Sequence, residues 1–123
     1  MNSISTIHKI RIPVKDLKRA TEFYKNILDL NYQYTVNEIA YFKLDSIEIQ
    51  LNPKLNTPSS EIFYFLSNIS IENFYQKLIS GGAKEIEPPN LTNLMKDRNR
   101  WQAILLDTEG NRFGIIEEKE SDY

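Results

Sequence analysis

The stretch Asp107-Thr108-Glu109-Gly110-Asn111-Arg112-Phe113-Gly114-Ile115-Ile116-Glu117 joins an acidic turn to an apolar strand. Asp, Asn and Gly gather where a chain reverses, because their side chains bond local backbone or, for glycine, open the left-handed region. Working outward, Trp101 to Leu106 is a second strand candidate, so the turn at Asp107 to Gly110 closes a hairpin and sets the position of the last strand. Before it lie Ala83 to Glu87, a break at Pro88-Pro89 and a long Asn90 to Asn99 loop. Further back, Ser70 is a good cap for a helix with Ile71, Phe74, Tyr75 and Leu78 on its buried face, ended by Gly81-Gly82. Ile62 to Leu66 opens this half as an apolar strand.

The same order occupies the first half. Residues Ile7 to Val14 alternate, with Ile10, Ile12 and Val14 on one side and Lys9 and Arg11 on the other, which predicts a half-buried strand. Asp16 is a good N-cap, and Leu17, Ala20, Phe23, Tyr24, Ile27 and Leu28 recur at the spacing of one helical face. Asp29 or Asn31 can take the left-handed conformation that closes such a helix. Strand candidates follow at Tyr32 to Val36, Ile39 to Leu44 and Ile47 to Leu51, separated by Asn37-Glu38 and Asp45-Ser46 turns.

Two motifs, Ile12-Pro13-Val14-Lys15-Asp16-Leu17 running on to Phe23-Tyr24-Lys25-Asn26-Ile27-Leu28, and the acidic turn with its strand, occur in one order on a duplicated pattern. Together they resemble the vicinal oxygen chelate superfamily of glyoxalases, bleomycin-resistance proteins and extradiol dioxygenases, from about Ile7 to Glu118. The resemblance implies an α+β fold: two βαβββ modules forming a curled mixed sheet, or cup, with helices on the outer face. Residues 1–123 then form one glyoxalase/bleomycin-resistance-like domain, with module one at about 7–52, a polar linker at 53–60 and module two at about 61–118.

In metal-using members of that family, four cup-lining strands each supply one ligand. Strand alternation allows those positions to be counted from the turns. Counting back from Asp16 gives Lys9; His8, the single histidine, shares the face of Ile10 and Ile12 and points away from the cup. The second position is Gln50, the third Phe63 within one residue, and the fourth Gly114. Lysine, glutamine, phenylalanine and glycine do not make a divalent-metal cage, since zinc needs imidazole, thiolate or carboxylate and harder cations need several oxygens. The expected ligand-lining set is Lys9, Arg11, Glu48, Gln50, Phe63, Trp101, Arg112 and Gly114, with no metal and no cofactor. Apolar walls with a few convergent polar groups describe a small-molecule pocket. Lys9, Arg11 and Arg112 read equally as a salt-bridged sheet face with Glu48 as counterion, and Trp101 as core packing instead of a rim.

Composition bounds the remaining choices. A chain of 123 residues with 41% apolar content builds one hydrophobic core. Fifteen basic residues against 17 acidic ones give a net charge of −2, with no basic footprint for nucleic acid or anionic membrane. No run approaches the roughly 18 apolar residues that span a bilayer, and no apolar leader opens the chain, so a cytoplasmic location is expected. The absence of cysteine excludes disulfides, thiolate nucleophiles and cysteine-ligated metals.

The sequence therefore reads as a metal-independent small-molecule-binding protein, sequestering or carrying a small anionic or aromatic ligand as a homodimer. The alternative is a lyase, isomerase or dioxygenase of the same superfamily, either metal-independent through Lys9, Arg11 or Glu48, or using a divergent metal site. A third reading is an interaction protein whose cup is filled by its own side chains.

Overall fold

A computed structural model describes residues 2–55, 63–94 and 96–120. The chain forms two compact units, residues 1–58 and 59–123. Each carries the strand, helix, strand, strand, strand order on a four-stranded mixed sheet, so the architecture is α+β with two βαβββ modules.

The first unit contains β1 (Lys9–Pro13), α1 (Leu17–Glu22), β2 (Asn31–Val36), β3 (Ile39–Leu44) and β4 (Ile47–Asn52). Asp16 starts α1 from an extended backbone, φ −128°, and its carboxylate accepts the Arg19 N–H at 3.1 Å. The helix then widens into a π-helical turn over Phe23–Ile27. That turn brings Phe23 and Tyr24, neighbours in sequence, into the core together, their rings edge to face at 5.5 Å. Asp29, at φ 62°, makes the left-handed exit. The sheet order is β1-β4-β3-β2, with β1 parallel to β4 and the other pairs antiparallel. Asn37 and Glu38, at φ 52° and 65°, form a two-residue hairpin turn whose twist matches that of the strands it joins. Under α1, Ile12, Ile49, Leu51, Ala40 and Phe42 are at most 2% exposed, each large one contributing about 1.5–3 kcal/mol of burial.

The second unit contains β5 (Phe63–Leu66), α2 (Ile71–Ser80), β6 (Lys84–Leu94), β7 (Arg98–Leu106) and β8 (Arg112–Glu120), in the sheet order β5-β8-β7-β6. Ser70 caps α2 by accepting the Asn73 N–H at 3.2 Å, and Glu117 of β8 accepts the Ile71 N–H at 2.9 Å. The helix is thus tied to the sheet through its own unsatisfied first turn. Ile71, Tyr75 and Leu78 are buried. Tyr75 donates its phenol to Glu85, and burial together with that carboxylate pushes its pKa up from 10.0 to about 12.

One sequence expectation is corrected here. The long loop at Asn90 to Asn99 is mostly strand, because β6 runs through Pro88-Pro89 to Leu94 and β7 begins at Arg98. β6 stands at the end of its sheet and carries three irregularities in its pairing with β7, where prolines lacking an N–H are tolerated. At the other end of the chain β8 runs on through acidic residues, and Glu117, Glu118, Lys119 and Glu120 all pair with β7. Residues 56–62, which take in most of the 53–60 linker and Ile62, lie outside the described residues, as do 121–123.

Candidate functional site

In the first unit, register decides which side chains share the sheet face opposite α1. Lys9 and Arg11 of β1 stand beside Glu48 and Gln50 of β4, while Ile10 and Ile12 stand beside Ile49 and Leu51 under the helix. The four polar residues expected in the lining are therefore together on one face. Gln50, only 7% exposed, donates its Nε2 to Glu48 Oε2 at 2.7 Å, so the carboxylate is held by its own strand. His8 precedes β1 and is exposed; its carbonyl accepts the Glu48 N–H at 2.9 Å.

The same ladder continues outward. Tyr41 and Lys43 of β3 stand beside Gln50 and Glu48, and Tyr34 of β2 stands beside Tyr41. None of these three belonged to the expected set. Alternation along β3 would have found Tyr41 and Lys43, since Ala40 and Phe42 mark the core side. Tyr34 could not be found that way, because an irregularity in β2 breaks its alternation.

In the second unit, Arg112 and Gly114 lie on the sheet face opposite α2, beside Leu106 and Ile104 of β7. Phe63 does not. It pairs with Phe113 on the α2 side, and Tyr64 takes the place beside Gly114. The expected position slips by one residue because the hydrophobic side of β5 is the odd-numbered one, where Phe65 meets the Phe113 ring at 6.2 Å. Trp101 also faces α2, opposite the expected rim. It pairs with Glu117, and Lys119, which bridges to Glu72 of α2 at 3.1 Å, lies 5.1 Å over its ring. Backbone hydrogen bonding at the helix start, and then Lys119, lower the Glu72 pKa; the hydrogen bond to Glu72 chiefly raises that of Lys119. The Arg112 Nε is buried without a hydrogen-bond partner among the described residues.

The acidic turn does structural work. Asp107, 3% exposed, accepts the N–H groups of Glu109 and Asn111, each at 2.8 Å, on one carboxylate oxygen, and the Asn111 side-chain amide at 3.0 Å on the other. This fixes the entry of β8 and hence the position of Gly114.

The four counted positions do not fit a divalent metal. Lys9 brings a cation, Gln50 a single neutral amide oxygen on a group whose Nε2 is bonded to Glu48, β5 an aromatic ring, and Gly114 no side chain. At Gly114 the space is also taken: a Cβ built there would stand 2.5 Å and 2.7 Å from two ring carbons of Tyr64. Among the described residues, no group of three or more His, Cys, Asp or Glu is arranged to hold a metal ion. No helix of the described residues is long and apolar enough to cross a membrane.

The comparisons agree with the duplicated fold. The metallothiol transferase FosB of Staphylococcus haemolyticus is 29% identical over 98% of this chain and 91% of its own length. A glyoxalase-related enzyme from Fulvimarina pelagi superposes with a TM-score of 0.78 at 12% identity, covering 93% of this chain and 88% of that one. The lactoylglutathione lyase of Agrobacterium tumefaciens superposes at 0.70 with 14% identity, covering 93% and 94%. At those identities the two structures establish the fold alone. The sequence model that matches residues 6–115 runs from the approach to β1, through both helices, to the strand that carries Gly114, and by that match the chain belongs to the glyoxalase/bleomycin resistance protein/dioxygenase superfamily.

Proposed function

We propose that this chain is a metal-independent member of its superfamily that binds, and so sequesters or carries, a small anionic or aromatic ligand. The observation that carries this reading is the Tyr64 ring lying where any side chain of residue 114 would begin. A ligand carboxylate at that position requires both a new residue and a displaced ring. The ligand-contacting residues of this proposal are Lys9, Arg11, Glu48 and Gln50 in the first unit, and Arg112 and the surroundings of Gly114 in the second. The buried, unpartnered Nε of Arg112 supports an anionic group, since a buried donor left unpaired costs about 1–3 kcal/mol until a ligand or water satisfies it. Phe63 and Trp101 leave the proposed set because they face α2.

A homodimer and a cytoplasmic location complete the proposal. In favour of pairing, β5 stands at the end of its sheet with Leu66 66% and Tyr64 48% exposed, an apolar edge that a second chain would cover. An enzymatic role, as lyase, isomerase, dioxygenase or transferase, with or without a metal, is the second reading, and the name of the FosB relative favours it.

Calorimetry on chelator-dialysed protein separates metal-free recognition from recognition through a metal, and assay of the bound ligand for turnover separates binding from catalysis. A ligand found by thermal shift should bind with the same affinity before and after dialysis, because no step of its recognition passes through a metal. Binding that disappears on chelation and returns with zinc or manganese would overturn the proposal.

A further inference from the structure

We infer that the first unit carries a built platform for a planar aromatic anion, with the aromatic part on Tyr34 and Tyr41 and the anionic part toward Arg11. This rests on the binding reading above and goes further, by naming the ligand class and the residues that select it.

The platform depends on an irregularity in β2. Tyr32 pairs with Phe42 and Tyr34 with Tyr41, so two partners adjacent on β3 are matched by residues two apart on β2, and Gln33 is the extra residue of a bulge. In a regular strand Tyr32 and Tyr34 would share a face. Here they do not. Tyr32 stays with the core, its ring 5.4 Å from Phe42 and beneath Lys25 of the π-helical turn at 5.2 Å. Tyr34 is turned to the opposite face, where its ring meets Tyr41 at 5.1 Å and stays 53% exposed. A strand whose only task was to cover the core would gain by burying this ring. The bulge gives that up and presents two tilted tyrosines side by side.

The surroundings set the charge. One register row runs across all four strands as Arg11, Gln50, Tyr41 and Tyr34, and the next carries Lys9, Glu48 and Lys43. The face thus has three cations against one carboxylate, in a chain whose net charge is −2, and that carboxylate already accepts from Gln50. Lys9, Arg11 and Lys43 are all exposed. Two strand spacings, about 10 Å, separate the backbones of Arg11 and Tyr41, a span that an arginine side chain and a two-ring aromatic acid bridge together. An aromatic ring without the anion leaves the cations unanswered, and an anion without the ring leaves the tyrosines in water. The ligand chemistry is therefore an aryl carboxylate or its sulfonate equivalent.

Naphthoate, naphthylmethanol and cyclohexanecarboxylate, titrated calorimetrically into the full chain, separate these features. Naphthoate should bind at least about tenfold more tightly than either of the others, the ratio expected when each lacks one contact worth roughly 1.4 kcal/mol. Tyr41→Leu and Tyr34→Leu should each weaken naphthoate about tenfold, while Tyr41→Phe keeps the ring and the affinity. Arg11→Gln should weaken naphthoate and leave naphthylmethanol unchanged. Unaltered thermal midpoints in the variants show that the fold is intact. Naphthoate affinity indifferent to both tyrosine substitutions, or no naphthoate binding at millimolar concentration, overturns the platform; neither result touches the metal-free reading, which falls on tests of metal dependence instead.

Discussion

Replacing Gly114 with alanine tests the contact on which the metal-free proposal rests. The backbone of Gly114 is outside the left-handed region, so alanine is conformationally allowed there, and taken alone the change should stabilise the strand by about 0.5–1 kcal/mol. The Tyr64 ring reverses the sign. Its carbons lie 2.5 Å and 2.7 Å from the new Cβ, far inside the roughly 3.5–4.0 Å optimum for carbon contacts, so the ring must swing off the sheet or the strands must part. Tyr64 is 48% exposed, so about half of its 150–200 Å² of side chain is buried, and losing that burial costs about 2 kcal/mol. Gly114→Ala in the natural chain should therefore destabilise by about 1–2 kcal/mol, whereas in a Tyr64→Ala background it should be neutral or stabilising. The resulting coupling, about 1–3 kcal/mol, is read from urea unfolding of the four proteins in a double-mutant cycle. Additivity within about 0.5 kcal/mol would show that the ring does not occupy the space at residue 114, and the argument against a ligand there would fail.

Other outcomes follow from the same structure. Tyr75→Phe should cost about 1 kcal/mol at neutral pH through loss of the hydrogen bond to Glu85. Because folding raises the Tyr75 pKa from 10.0 to about 12, its contribution is complete below pH 10.0 and is lost as pH rises through about 12, so the gap between natural and Phe proteins in alkaline melts should close over that window. Asp107→Ala removes an acceptor from two buried N–H groups and the Asn111 amide, and chemical denaturation should show a loss of about 2–4 kcal/mol. Light scattering at micromolar concentration should return twice the 14.4 kDa chain mass, and Leu66→Lys at the exposed end of β5 should return the single mass.

Much of the fold was written in local chemistry. Asp16 and Ser70 announced both helix starts, and strand alternation gave the correct face for Lys9, Arg11, Glu48 and Gln50, because β1 and β4 are regular and one side of each is plainly apolar. Position 63 was harder to read, since Phe63, Tyr64, Phe65 and Leu66 are all apolar or aromatic and a fully apolar run carries no period. Tyr64 was resolved only by its pairing with Gly114. Trp101 faces α2 because β7 pairs regularly with β8 and carries Trp101 on the side of Ala103 and Leu105, an alternation that counting along Trp101 to Leu106 would have given. Tyr34 was hidden by the bulge at Gln33: no alternation count crosses an inserted residue correctly, and nothing in Asn31-Tyr32-Gln33-Tyr34 marks the insertion.

The central claim is that this member of the superfamily works without a metal, and elemental mass spectrometry tests it most directly. Untagged protein purified without chelator should be measured as isolated, and again after incubation with zinc, nickel, manganese and iron(II) followed by desalting. The account predicts metal far below one equivalent per chain in every sample. Stoichiometric, saturable metal in any of them would contradict it and restore the enzymatic reading.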